Sequence, residues 1–193
     1  MSMCVEPGGV GGVDSAKRHI AFVGFMAAGK TTCARLMAQR YGRRFVDIDD
    51  DIESRVGMTI SEMFATQGER AFRATETAVL DAALAQRETC CVATGGGVLT
   101  TPENLPLLRA SAVIVYLRVK PERALARIHN FASRPLLETA GSTEVIFALA
   151  QARTALYEAA CDFSVSTNKR TPDEVVDITV ERIRERGYGH LLS

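Results

Sequence analysis

Residues 24 to 31 read Gly24-Phe25-Met26-Ala27-Ala28-Gly29-Lys30-Thr31, a Gly-x4-Gly-Lys-Thr loop. It follows a short apolar run, Ile20-Ala21-Phe22-Val23, and opens into a helical pattern, Cys33-Ala34-Arg35-Leu36-Met37-Ala38. Strand, glycine loop and helix in that order form a phosphate cradle. The glycines let the backbone curl so that successive N–H groups face phosphate oxygens, and the helix N-terminus adds unpaired donors and a favourable dipole. Lys30 is expected to reach the β- and γ-phosphates and the Thr31 hydroxyl to bind Mg²⁺. At average residue frequencies the pattern arises by chance in roughly one chain in a hundred of this length, and the correct flanks make chance rarer. We therefore expect Ala27, Ala28, Gly29, Lys30, Thr31 and Thr32 to line a nucleotide.

Four more β-type runs follow: Arg44-Phe45-Val46-Asp47, Cys90-Cys91-Val92-Ala93-Thr94, Ala112 to Leu117, and Phe163-Ser164-Val165-Ser166. Apolar strands alternating with helical patterns predict an α/β fold, a five-stranded parallel sheet covered by helices on both faces. Thr59-x-x-Glu62 and Thr171-Pro172-Asp173-Glu174 are capping boxes, and Thr101-Pro102-Glu103 reads as a similar helix start. Ala152 to Ala160 and Val175 to Arg186 have amphipathic spacing. Residues from about 48 to 76 hold no strand-like run and read as short helices inserted at the sheet edge. Asn130 to Thr143 reads as a loop between two helices, a lid candidate beside a nucleotide site.

With 193 residues the chain is one domain by prior, and 23 basic against 23 acidic residues give no net charge. That balance offers no nucleic-acid surface and no polybasic membrane patch. No apolar run is long enough for a membrane span. Five scattered cysteines, two of them adjacent (Cys90 and Cys91), read as buried thiols of a reducing compartment rather than a disulfide framework. Residues 1–18 read as a flexible leader and not as a secretory signal, which points to the cytoplasm.

Asp47 and Asp49 alternate out of the second strand's carboxyl end, where open α/β sheets collect ligands. One can face Mg²⁺ and the other a second substrate; Asp47 is assigned to the metal with Thr31. The alternative is that these acids cap the next helix. Both readings stay open for Asp49, and capping is the better one for Asp50 and Asp51. Gly95-Gly96-Gly97 directly follows the third strand and permits close backbone approach to a ligand. Arg73, Arg127, Arg134, Arg153 and Arg170 matter only if they converge, and Arg134 has the lid segment in its favour. His19, His129 and His190 lack ligand spacing, and Cys33 reads as core rather than nucleophile.

These motifs together resemble the shikimate kinases. The phosphate loop, Asp47-Ile48-Asp49, Phe72-Arg73 followed by Glu76, Gly95-Gly96-Gly97, Arg134-Pro135-Leu136-Leu137 and Arg153-x-x-Leu156-Tyr157 occur in that family's order and spacing, from about His19 to Arg186. The loop alone is generic; the later motifs in this order are specific. The resemblance implies a P-loop nucleoside-monophosphate-kinase-like fold: one kinase domain over residues 19–193, a substrate-binding helical region at about 48–76 and a lid at about 129–143. It implies ATP-dependent, Mg²⁺-assisted phosphorylation of the shikimate 3-hydroxyl in aromatic amino-acid biosynthesis, by a monomer with no nucleic-acid or membrane partner. Position by position it gives Lys30, Asp49 and Arg134 the catalytic parts, with Asp49 on the ring hydroxyls. Arg73 and Arg153 take the carboxylate beside Gly95, Gly96 and Gly97, Gly96 through its backbone. Arg134 touches ATP phosphates, and Arg127 and Pro172 flank adenine with Arg170 nearby. Two positions depart from the family pattern. Ala27 stands where a glycine is usual in the loop, and Ala155 where a proline usually precedes Leu-Tyr. A gluconate kinase, or a nucleotide-binding regulator without catalysis, shares the loop but not the full set of acid-site residues.

Overall fold

The computed structural model of the chain describes residues 17–127 and 143–193. Its centre is a five-stranded parallel sheet of β1 (His19–Val23), β2 (Arg44–Asp47), β3 (Cys90–Ala93), β4 (Ala112–Arg118) and β5 (Phe163–Ser166), in the order β2-β3-β1-β4-β5. All five expected strands are present, with small shifts at their ends. Thr94, expected in the third strand, lies just beyond it, where its hydroxyl donates to the Phe22 carbonyl at 2.9 Å. Ile20, Ala21, Phe22 and Val23 are completely buried, as a central strand covered on both faces requires.

Helix α1 (Lys30–Tyr41) packs on β2 and β3 and against α7 (Pro172–Glu185), which also covers β5. Helix α3 (Ile60–Leu84) packs with α4 (Asn104–Ser111), which lies on β4. Helix α2 (Ile48–Val56) packs on α3 beyond edge strand β2, while α5 (Pro121–Arg127) and α6 (Thr143–Ala160) follow β4. Both Thr59 and Thr171 form the expected capping boxes, with Glu62 and Glu174. Among the described residues no helix is long and apolar enough to cross a membrane.

The region after β2 is helical, as expected: α2 is short, and α3 is broken at Gly68, whose φ of 79° and ψ of 169° are not helical, so a short helix precedes a longer one. That one residue at positive φ interrupts the periodic pattern. One local expectation changes: Thr101 is not a helix cap. Its carbonyl accepts the Asn104 N–H at 3.1 Å in a turn, and α4 starts behind Glu103 without a side-chain cap. The buried Asn104 amide donates to the Val98 carbonyl at 2.9 Å and fastens the helix start to the short 3-10 turn Val98–Thr100.

The foot of β1 carries a buried histidine. The Cys90 N–H donates to His19 Nδ1 at 3.2 Å, which leaves Nε2 as the protonated nitrogen, 3.0 Å from the Leu84 carbonyl. The ring thus ties β1 to the start of β3 and the end of α3. Burial pushes its pKa below 6.5, so it sits there neutral.

At the other end of the sheet the register is even: Phe22 pairs with Ala93, and Ala93 with Asp47. With strands roughly 4.8 Å apart, the loop after β1, the Gly95–Gly97 turn and Asp47 share one rim. The strand order also reverses about β1, which opens a crevice at the carboxyl ends.

Candidate active site

That rim encloses a cleft of about 470 Å³. The loop of residues 24–29 curls along it, and Gly29, at φ 94°, delivers the chain into α1. Ala27 through Thr32 line the cleft together with Asp47 and Asp49. Lys30 lies folded into the loop, its Nζ donating to the carbonyls of Gly24 at 2.9 Å and Phe25 at 3.0 Å. The Thr31 hydroxyl donates to Asp47 Oδ2 at 2.8 Å, and Asp47 Oδ1 accepts the Asp49 N–H at 3.1 Å. Asp47 therefore caps α2 with one oxygen while the other stays beside Thr31 at the mouth of the loop. Arg127 donates to the carbonyls of Ala27 at 3.2 Å and Thr167 at 2.9 Å, and Pro172 also lines the cleft.

The acid-recognising candidates gather on the Gly95–Gly97 turn. Arg153 Nη1 donates to the Gly96 carbonyl at 3.1 Å. A Cβ on Gly97 would sit 2.6 Å from Arg73 Nη2, so the Arg73 guanidinium lies directly on the turn. A Cβ on Gly95 would sit 2.8 Å from Glu76 Oε1 and 2.9 Å from Asp49 Oδ1, so two carboxylates press on the same α-carbon. The absence of a side chain at both positions is what lets these side-chain tips come so close to the backbone. Arg73 is held by Glu76 at 2.8 Å and Glu69 at 3.1 Å. Glu76 is fully buried, and its Oε1 has no hydrogen-bond partner among the described residues. Burial pushes the Glu76 carboxyl up, opposed first by Arg73 and then by Arg153; both guanidiniums thus act on one carboxylate.

Arg73 and Arg153, eighty residues apart in the chain, thus meet on one turn beside the phosphate loop. A family model described as shikimate kinase matches residues 26–184. The shikimate kinase of Vibrio parahaemolyticus is 42% identical over 170 residues, covering 88% of this chain and 98% of that one. A solved shikimate kinase from Acinetobacter baumannii in complex with shikimate superimposes with a TM-score of 0.83 at 32% identity, over 88% of this chain and 94% of that one. The chain belongs to the shikimate kinase family. The fold alone extends further, to a deoxyadenosine kinase from M. mycoides at 15% identity and a TM-score of 0.54, over 86% of this chain and 98% of that one.

Within this shikimate kinase family member, the expected site residues fall into three groups. Ala27, Ala28, Gly29, Lys30, Thr31, Thr32, Asp47, Asp49, Gly96, Arg127 and Pro172 line the cleft. Arg73, Gly95, Gly97 and Arg153 adjoin it around the turn. Arg170 stands apart from the lining: it is exposed and donates to the Ser166 carbonyl at 2.8 Å. Arg134 and nearly all of the lid segment lie outside the described residues, as do residues 1–16 of the leader. Thr94 and Thr167 line the cleft without having been singled out. Each stands one residue past a strand's carboxyl end, and that position was the available signal. Val175 and Cys33 complete the lining. Burial pushes the Cys33 thiol up to about 11, which makes it core and not a nucleophile.

Proposed function

We propose that the protein transfers the terminal phosphoryl group of ATP to the 3-hydroxyl of shikimate, in aromatic amino-acid biosynthesis. Family membership supplies the reaction. The observation in this chain that carries it is the meeting of Arg73 and Arg153 on the Gly95–Gly97 turn, next to the cleft that the phosphate loop lines.

The residue chemistry fits both substrates. Planar guanidiniums bind a carboxylate bidentately, so Arg73 and Arg153 are suited to the acid group of shikimate. Glu76 and Asp49 carry carboxylate oxygens of the kind that accept from ring hydroxyls, and Asp49, in the cleft lining, takes the part of orienting the reacting hydroxyl and accepting its proton. Backbone N–H groups of the loop and the α1 N-terminus hold the phosphates, and Lys30 exchanges the Gly24 and Phe25 carbonyls for phosphate oxygens. Arg127 and Pro172 border the adenine. Thr31 and Asp47 form the hard-oxygen pair suited to Mg²⁺, which typically takes one or two carboxylates plus substrate phosphates. When bound, Mg²⁺ supplies charge neutralisation at the transferring phosphoryl group. Phosphoryl transfer asks mainly for positioning and charge neutralisation and little covalent work from the protein, which these residue types can supply.

The free thiols Cys33, Cys90, Cys91 and Cys161 support a cytoplasmic setting, and we take the enzyme to be one kinase domain over residues 19–193, acting as a monomer. A coupled assay of ADP release with shikimate, with gluconate and with no acceptor tests the reading. Release above background is expected with shikimate only; equal release in all three would overturn it.

A further inference from the structure

Tyr157 is the member of the Arg153-x-x-Leu156-Tyr157 segment that phosphoryl transfer leaves without a part. It stands one turn beyond Arg153 on α6, so the two side chains leave the same helix face. The ring is 1% exposed and packs on Tyr116 of β4, with centroids 5.0 Å apart and planes at 30°. Its hydroxyl donates to the Gly96 carbonyl at 2.5 Å, the same oxygen that accepts Arg153 Nη1 at 3.1 Å. A carbonyl oxygen has two lone pairs, and here α6 fills both. Burial pushes the phenol far above its ordinary range against the pull of the neighbouring Arg153. The hydroxyl therefore keeps its proton and remains a donor.

We propose that Tyr157 is a positioning residue of the acid site: its hydroxyl keeps the Gly96 carbonyl paired when Arg153 leaves that oxygen for the substrate's carboxylate. The proposal deepens the shikimate kinase reading and rests on it. An arginine that binds a ligand must first give up its resting partner. If that partner is a part-buried carbonyl with no second donor, substrate binding bears the cost of orphaning it. With Tyr157 in place the guanidinium exchanges one oxygen for two and leaves nothing unpaired behind. The peptide plane is rigid, so a fixed Gly96 carbonyl also fixes the Gly97 N–H on the opposite edge, turned away from α6. The turn that carries Arg73, Asp49 and Glu76 on its glycines then keeps its shape through the exchange. None of this touches the phosphoryl end of the cleft, so the effect belongs to acid binding and not to transfer.

Tyr157→Phe removes one oxygen and keeps the ring on Tyr116. The KM for shikimate should rise about five- to thirtyfold, the cost of one orphaned acceptor. kcat should stay within about threefold of the parent, with the KM for ATP unchanged. In an Arg153→Ala background the same change should raise the shikimate KM by less than about twofold, because no guanidinium is left to exchange. Four results would overturn the proposal: an unchanged shikimate KM, KM values for both substrates that rise alike, full additivity with Arg153→Ala, or a Tyr157→Phe protein that no longer folds. A parent protein without shikimate-dependent ADP release would overturn the function and this proposal with it. Parent activity with an unmoved Tyr157→Phe KM would overturn this proposal alone.

Discussion

The phosphate end of the cleft is one continuous stretch of chain, residues 24 to 32, and its shape comes from backbone. The acid end is assembled from side chains on α3, the turn after β3 and α6, and its shape comes from packing. The two ends carry different costs. The loop holds Ala27 in the left-handed region at φ 56°, where a side chain is strained, and Gly24 at a φ of 142° that only glycine adopts readily. The acid site instead holds charges out of water, with Glu76 fully buried and Arg153 8% exposed. Strain can be kept in a short segment that the sheet and α1 grip from both sides. Buried charge needs partners from elsewhere, and breaking one leaves the other uncompensated. Changes at the first end should therefore read out as folding or nucleotide effects, and changes at the second as acid recognition.

Asp49 stands where the two ends meet, and its replacement should have the largest effect. Asp49→Asn keeps the size and most of the local contacts but removes the carboxylate proposed to act as the base. kcat should fall by roughly 10²- to 10⁴-fold, the usual range for a general base, while the KM for ATP changes by no more than a few-fold. Steady-state kinetics in both substrates decide it. A kcat within a few-fold of the parent would reduce Asp49 to a first-turn residue of α2.

A pair of glycine substitutions separates backbone from packing. In Gly24→Ala the new Cβ would lie 2.6 Å from the Leu117 carbonyl oxygen, which belongs to β4 and cannot move aside. The backbone there is also in a region that side chains rarely adopt, so a stability loss of about 3 kcal/mol or more is expected in denaturant titration. In Gly97→Ala the Cβ would meet the tip of a flexible Arg73 side chain. The fold should survive and the guanidinium should shift, raising the shikimate KM by about tenfold as one charge-assisted contact weakens. If Gly97→Ala costs as much stability as Gly24→Ala, the contrast between the two ends fails.

The same contrast explains what the sequence shows and what it hides. The loop is contiguous, so its residues and spacing announce it, and the five strands stand out as apolar β-type runs between helices. Asp47 was legible as a strand-end acid, but its double part, capping α2 and pairing with Thr31, depends on the even register of β2, β3 and β1. The approach of Arg73 and Arg153 depends on how α3 and α6 pack, which no local pattern encodes; a resemblance to a family was needed to pair them. Glu76 appeared in that pattern, but its burial did not. The short helices after β2 were legible because Gly68 breaks the helical period there, whereas Thr101 misled because a cap-like triplet also makes a turn.

His19 offers a control, since it is remote from the chemistry yet tied to both ends: β1 feeds the loop, and the Leu84 carbonyl ends the helix that carries Arg73. Its folded pKa lies below 6.5 because burial opposes the charged form. The unfolded chain therefore takes up the proton first, and stability present above about pH 6.5 is lost as the pH falls below it, by at most about 1.4 kcal/mol per unit. The melting midpoint of the parent should drop more between pH 7.5 and 5.5 than that of His19→Gln. Glu76, pushed up by burial, works in the opposite sense, so the comparison with the variant is what isolates the histidine. Equal drops would show that the ring is protonated in the fold.

Ala27 gives the smallest and most local test. A non-glycine residue in the left-handed region costs roughly 1–2 kcal/mol, and Ala27 bears that cost at φ 56°. Ala27→Gly relieves it, but glycine also adds freedom to the unfolded chain, which takes back about 0.4–1 kcal/mol. The net gain should be below about 1 kcal/mol, a rise in Tm of no more than about 4 °C for a chain of this size. The Arg127 bond to the residue 27 carbonyl uses backbone and survives the change. Shikimate KM should stay where it is, since the change is confined to the phosphate loop. Were Ala27→Gly to lower the midpoint, the alanine would be stabilising the loop through its methyl group, and strain would not be the currency in which this end of the cleft is built.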